Sequence, residues 1–162
     1  MPNIIYAKEP LTTEARKLSI FLAGPTPRAP TAYISSWRPE AIKHLRRLFQ
    51  GVILSPEPRD GVWHGEYDDQ VEWEAEAMDA ATCIAFWIPR KLDTMPGFTT
   101  NDEWGYYKAS GKVVLGTPPE AEKVKYQAWW AKRLGVPHYI RLEDTMSAAI
   151  FMAHHPLRRG VS

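Results

Sequence analysis

An open parallel β-sheet with helices on both faces is the fold that this 162-residue sequence predicts. Three observations carry the prediction. Short apolar runs alternate with helical periodicities five times along the chain. The runs are continuously apolar, as strands buried on both faces are. The first four runs stop at or beside a proline or glycine, and most of the 14 prolines gather at such stops, which reads as structured loops along one sheet edge. The length suits one domain, with 1–17 expected as an N-terminal extension and 156–162 as a frayed tail.

The first strand is Leu18-Ser19-Ile20-Phe21-Leu22-Ala23, closed by Gly24-Pro25. It is short and ends at a breaker, the mark of a buried strand. A helix is expected over 37–49, with Ala41, Ile42, Leu45 and Leu48 at helical spacing and Pro39 in its first turn. Gly51 ends it, and Val52-Ile53-Leu54 forms the second strand before Ser55-Pro56-Glu57-Pro58. A polar loop over 59–68 leads to a helix over 69–81, with Val71, Trp73 or Glu74, Ala77, Met78 and Ala81 available to its inner face. The third strand, 83–88, is cut by Pro89 and followed by a loop to Thr99. Thr100 or Asn101 can cap the next helix, which runs to about Ala109 and stops at Gly111. A fourth strand over 113–116, a helix over 126–134, a fifth strand over 137–140 and a helix over 142–153 complete the chain.

The result is a five-stranded flavodoxin-like, or Rossmann-like, α/β sheet. Such sheets bind ligands beyond the carboxyl ends of their strands, at the switch point. The candidate site residues are therefore those just after Ala23, Leu54, Ile88 and Leu115.

Composition narrows the function. Twenty Lys and Arg against 19 Asp and Glu give a net charge of +1, too weak a field to draw in a nucleic acid polymer or an anionic membrane. A single cysteine, Cys83, excludes an internal disulfide framework and a cysteine-built zinc site. No apolar run approaches the roughly 20 residues needed to span a bilayer. The first 20 residues lack a signal-peptide core, so a cytoplasmic location is expected. No G-x-G-x-x-G, Walker motif or His/Asp cluster points to a bound cofactor or metal, and none is expected.

Three segments can carry chemistry. In Gly24-Pro25-Thr26-Pro27-Arg28, glycine permits close backbone approach, and Thr26 and Arg28 suit a phosphate or sugar hydroxyls. A rigid turn with an exposed arginine explains the same residues. The helix before the third strand carries Glu72, Glu74, Glu76 and Asp79. Most of these are a solvated face, but Glu74 lies beside Ala77 and Met78 on the helical wheel. A carboxylate at that boundary has a raised pKa and can hold or relay a proton. The third segment is Met95-Pro96-Gly97-Phe98-Thr99-Thr100-Asn101-Asp102-Glu103-Trp104-Gly105-Tyr106. Its hydroxyls and amides open a helix at the ligand edge. Glu103 is placed in the first turn, where the helix dipole alone favours a carboxylate. Gly105 in a helix interior costs roughly 1 kcal/mol against alanine, which suggests close packing or space for a ligand.

Taken together these blocks resemble a known family. Phe21-Leu22-Ala23-Gly24-Pro25-Thr26-Pro27-Arg28, Ser36-Trp37-Arg38-Pro39-Glu40-Ala41, Glu72-Trp73-Glu74, Phe86-Trp87-Ile88-Pro89-Arg90, Pro96 to Gly105 and Gly111-Lys112-Val113-Val114-Leu115-Gly116 are similar, in order and spacing, to the nucleoside 2-deoxyribosyltransferase-like proteins. The superfamily includes transferases that exchange bases between 2'-deoxynucleosides and hydrolases of 2'-deoxynucleoside 5'-phosphates. The resemblance implies a glutamate nucleophile in a Glu-x-Gly turn, matched by Glu103-Trp104-Gly105. It implies an assisting acid about two dozen positions earlier, which falls on Glu74, or on Asp69 if Trp73 is the anchor. It further implies sugar or phosphate contacts from Gly24, Pro25, Thr26 and Arg28. Thr100, Asn101 and Trp104 join the substrate-binding set, and Trp87, Trp104 and Phe98 are candidate walls for the base. Phe21 stands where the classical transferases carry a tyrosine.

The implied activity is cleavage of an N-glycosidic bond in a nucleoside or nucleotide, with the sugar passed to another base or to water. A nucleotide-binding or sensor protein using the same pocket without turnover is the alternative. A flavin-dependent electron carrier of the same fold is a third. The family's habit of assembly implies a homodimer or larger homo-oligomer, with Tyr126, Trp129 and Trp130 as candidate contacts.

Overall fold

The computed structural model describes residues 3–28 and 34–157. Six parallel strands form one sheet: β1 (Ile4–Ile5), β2 (Ser19–Ala23), β3 (Val52–Leu54), β4 (Cys83–Trp87), β5 (Val113–Gly116) and β6 (His138–Tyr139). Their spatial order is β1-β3-β2-β4-β5-β6. Without β1 this is the flavodoxin-like 2-1-3-4-5 order, so the fold is the α/β class that the sequence predicts, with six strands in place of five. The extra strand pairs Ile4 with Ile53 and Ile5 with Leu54 at the sheet edge. Two residues are too short a run for periodicity to reveal, and the edge pairing is what defines them.

The helices are α1 (Thr13–Lys17), α2 (Arg38–Leu48), α3 (Tyr67–Ala80), α4 (Phe98–Tyr107), α5 (Lys125–Leu134) and α6 (Leu142–His154). Strand residues alternate between two cores. Ile20 and Leu22 of β2 with Cys83, Ala85 and Trp87 of β4 meet α2 and α6 through Ala41, Leu45, Met146 and Ala149. Phe21, Ala23, Ile84 and Phe86 turn the other way, onto Trp73 and Ala77 of α3 and Trp104 of α4. Both faces are covered, which is why β4 is apolar throughout and β2 is apolar beyond its first residue, Ser19. No described helix is long and apolar enough to cross a membrane.

The expected fraying over 156–162 falls largely outside the described residues, which stop at 157. Leu157 itself is tied by its N–H to the Gly111 carbonyl at 2.9 Å.

Two local expectations are corrected. Helix α4 starts at Phe98, behind Gly97 in the left-handed conformation at φ 64°, and no side chain caps it. Thr100 and Asn101 are therefore helical residues instead of caps. Glu103 is the sixth residue of the helix, beyond the first turn, so the helix dipole does not account for its presence. Gly105 is not a packing glycine either, since a Cβ there meets nothing within 4 Å.

The sheet's parallel order puts the ends of β2 and β4 side by side, with Ala23 opposite Phe86. The chain leaves β2 for the α2 face and leaves β4 for the α4 face. The crevice between those departures is the switch point.

Candidate active site

The crevice is floored by two loops pressed together. After β2, Gly24 has φ 149°, and a Cβ there would stand 2.0 Å from the Trp87 carbonyl oxygen. Only glycine lets the chain turn this close to β4. Trp37 donates its indole N–H to the Pro25 carbonyl at 3.0 Å, and the Arg28 N–H bonds the Thr94 carbonyl at 2.9 Å. Gly97 closes the floor, where a Cβ would lie 2.9 Å from Pro25 Cβ.

Above this floor the cleft has two lobes. One, of about 250 Å³, is lined by Gly24, Pro25, Thr26, Arg28, Arg38, Gly97 and Phe98 and is the more polar. The other, of about 690 Å³, is walled by Trp63, Tyr67, Val71, Ala75 and Met78 and is mostly apolar. Thr26, Glu74, Thr99 and Glu103 line both lobes, so the two carboxylates stand at the junction. Their combined size lies within the range of small-molecule sites.

Both carboxyl groups are perturbed. Burial raises Glu74, countered by the Gln70 amide and the charge of Arg38. The Gln70 Nε2 donates to Glu74 Oε1 at 2.8 Å and to the Pro56 carbonyl at 3.0 Å, which fixes the carboxyl against the end of β3. Glu103 is pushed up to about 8, by burial first and then by the neighbouring charge of Glu74, while Arg38 pulls it down. Two like charges at one low-dielectric junction do not readily ionise together, which favours a proton shared between the two carboxyl groups.

This elevation has a measurable consequence for stability. An acid whose pKa rises on folding, here from 4.5 to about 8, contributes stability that is full below 4.5. That contribution is lost as pH climbs through 8. Each unit is worth about 1.4 kcal/mol, and a domain of this size moves about 2–4 °C in Tm per kcal/mol. Glu103→Gln is therefore expected to melt several degrees above wild type at pH 9 and close to it at pH 4. A constant gap across this range in thermal scans would remove the argument.

The remaining expectations separate cleanly in space. Gly24, Pro25, Thr26 and Arg28 line the polar lobe with Glu74 and Glu103. Phe21, with no hydroxyl to offer, also lines it. Asp69 is exposed on α3 and lines neither lobe. Thr100, Asn101 and Trp104 do not reach the cleft. Thr100 is buried, and Asn101 Oδ1 accepts from Arg90 and from Gln127 on the far side of α4. Trp104, 2% exposed, packs edge-on against Phe86 at 5.3 Å. Within α4 the spacing of four puts Thr99 and Glu103 together on the cleft side, and Thr100, Asn101 and Trp104 fall on other sides of the same helix. Trp87 is buried among Trp37 and the α6 side chains, whereas Phe98 does line the polar lobe.

Arg38 and Gln70 carry no role in the sequence reading. The signal for Arg38 was present, since a cation in the first turn of a helix opposes the dipole and so argues for another task. Gln70 gave no such sign. Among the described residues, no group of three or more His, Cys, Asp or Glu could hold a metal ion.

The family model described as nucleoside 2-deoxyribosyltransferase like matches residues 17–121. That span contains both floor loops, Glu74 and Glu103. No curated protein matches the chain.

Proposed function

The chain belongs to the nucleoside 2-deoxyribosyltransferase-like family, and we propose that it cleaves the N-glycosidic bond of a 2'-deoxynucleoside or its 5'-monophosphate. The deoxyribosyl group passes to a second base or to water. One observation carries the reading: two perturbed carboxyl groups meet where a polar lobe joins an apolar one. A nucleoside has the same division, a polar sugar joined to a flat base through the bond to be broken.

In this reading the sugar sits over Gly24, Pro25, Thr26 and Arg28, and the base enters the apolar lobe. The reacting form is the one in which the pair's single proton has passed from Glu103 to Glu74. Glu103, then ionised, attacks the anomeric carbon or stabilises its developing positive charge, and Glu74 gives the proton to the departing base. The new nucleobase, or a water deprotonated by Glu74, then reverses the step on the glycosyl ester. A sugar without its 2'-hydroxyl supports the cationic transition state better than a ribose does.

One shared proton makes the chemistry depend on pH in both directions. Above about 8 both carboxyl groups ionise and the acid is lost. At low pH both are protonated and the nucleophile is lost. The kcat/KM profile is expected to be bell-shaped with its basic limb near pH 8, and Glu74→Gln is expected to abolish that limb. A profile flat from pH 6 to 10 would contradict the shared proton.

The same proposal includes a cytoplasmic homo-oligomer. Tyr106 of α4 and Tyr126 and Trp129 of α5 are strongly exposed, and Tyr126 and Trp130 line a groove with Gly105. Trp130 is only half-buried there, with Trp129 edge-on to it at 5.0 Å. Light scattering is expected to give a multiple of 18.5 kDa.

The activity is tested by incubating the protein with the four 2'-deoxynucleosides and their 5'-monophosphates, with and without a second base. A new nucleoside defines a transferase, and free base with free sugar defines a hydrolase. Nucleotide binding with no base release would turn the reading to a binding protein.

A further inference from the structure

We infer that Arg38 is the positioning residue of this site, one guanidinium that clamps the first loop in shape and presents its positive charge to both carboxyl groups. The inference rests on the reading of the Glu74–Glu103 junction as the reacting centre.

The location of Arg38 is poorly explained by stability. It opens α2, where the helix dipole disfavours a cation. It is also 2% exposed, and a buried ion pair is often replaced by apolar side chains without loss. Its bonds point elsewhere. Nε donates to the Leu22 carbonyl at 3.0 Å, one terminal nitrogen to Thr26 Oγ1 at 2.9 Å, and the other to the Gly24 carbonyl at 2.7 Å. A single side chain thus sets the end of β2, the close turn at Gly24 and the hydroxyl that lines both lobes.

Its charge is shared between two sides. Behind the cleft, Glu57 Oε2 lies 3.4 Å away and is itself held by the Ser36 hydroxyl at 2.7 Å. In front, Arg38 lines the polar lobe with Glu74 and Glu103. The charged and titratable groups around Glu103 are Glu74 from α3, Arg38 from α2, and Asp102 and Tyr107 from its own helix. Arg28 lines the same lobe from the exposed rim. Arg38 is the buried cation that pulls Glu103 toward its ionised form against burial and two neighbouring acids. The fork explains why arginine serves here: a lysine keeps the charge but gathers its donors on one nitrogen, which cannot replace three separate nitrogens placed against the Leu22 carbonyl, Thr26 Oγ1 and the Gly24 carbonyl.

The test compares R38Q, which removes the charge, with R38K, which removes the fork. The double variant R38Q/E57Q also removes the carboxylate that a neutral residue 38 leaves unpaired, and circular dichroism identifies which variants fold. The midpoint of Glu103 is followed by carboxyl ¹³C NMR in the unliganded protein, with its signal assigned through E103Q. In R38Q, or in the double variant, the midpoint is expected to rise by about one unit or more. In R38K it is expected to stay near the wild-type value, while calorimetry shows 2'-deoxynucleoside binding roughly tenfold weaker. A folded neutral variant in which Glu103 titrates as in wild type would overturn the charge role, and unweakened binding in R38K would overturn the clamp. The titration is independent of turnover. If the wild-type protein releases no base, the functional reading falls while the Arg38 result still stands or fails on its own.

Discussion

Replacing Glu103 with alanine is expected to lower the rate of base release by at least about 10³-fold, the scale seen when a group acting in the transition state is lost. The loss should fall on kcat. Glu103 stands at the junction of the two lobes, and the walls that would hold the sugar and base come from other residues. Truncation therefore leaves the binding surface largely in place. Removing a buried carboxyl whose pKa is raised also relieves desolvation, so the variant should fold. Steady-state kinetics beside a thermal scan separates the two effects. Turnover within tenfold of wild type in a folded Glu103→Ala protein would exclude Glu103 as nucleophile.

The second large effect is structural. Gly24→Ala is expected to destabilise the protein by about 3–5 kcal/mol, the range of severe overpacking combined with backbone strain. A Cβ at this position lies 2.0 Å from the Trp87 carbonyl oxygen and 2.9 Å from Trp37 Cζ2. The carbonyl belongs to β4, whose Trp87 is paired with Gly116 on the other side, so it cannot withdraw without breaking the sheet. The φ of 149° adds strain that the substitution cannot escape. The Tm should drop by about 10 °C or more, and any folded fraction should lose affinity for nucleosides because the loop is displaced. Gly105→Ala is the natural control. It is helical, with nothing within 4 Å of its Cβ, and should be neutral or mildly stabilising to the single chain. Equal stability of Gly24→Ala and wild type would show that the close turn is not rigid.

These two positions also show how far the sequence could be read. Gly24 was legible because a breaker follows a continuous apolar run, and the run itself marks a strand covered on both faces. Glu103 was legible through the Glu-x-Gly motif of the family resemblance and its position after the third predicted strand, although Glu103 to Gly105 lie within helix α4 and form no turn. Glu74 was legible because one side of its helix is apolar, and burial there follows from the wheel alone. Thr100, Asn101 and Trp104 miss the cleft because of helical phase. Local propensity favours a Thr or Asn cap, but Gly97 starts the helix at Phe98, and Thr99 and Glu103, four residues apart, share the cleft side. Thr100 and Trp104 are buried, and Asn101 meets Arg90 and Gln127. The apolar lobe was not legible at all. Its wall combines Trp63 from a polar loop with Tyr67, Val71 and Met78 from α3, and only the docking of that loop assembles it. The edge strand Ile4–Ile5 escaped for a similar reason, because two residues acquire a register only from the neighbour they pair with.

The central claim is that the sugar passes through Glu103. The most direct measurement is intact-protein and peptide mass spectrometry after rapid acid quench of the protein with a reactive 2'-deoxynucleoside. The account predicts an added mass of one deoxyribosyl group on the peptide containing Glu103, lost on addition of a second base and absent from Glu103→Ala. Base release with no adduct at any quench time and inversion at the anomeric carbon, or an adduct on Glu74 instead, would contradict it.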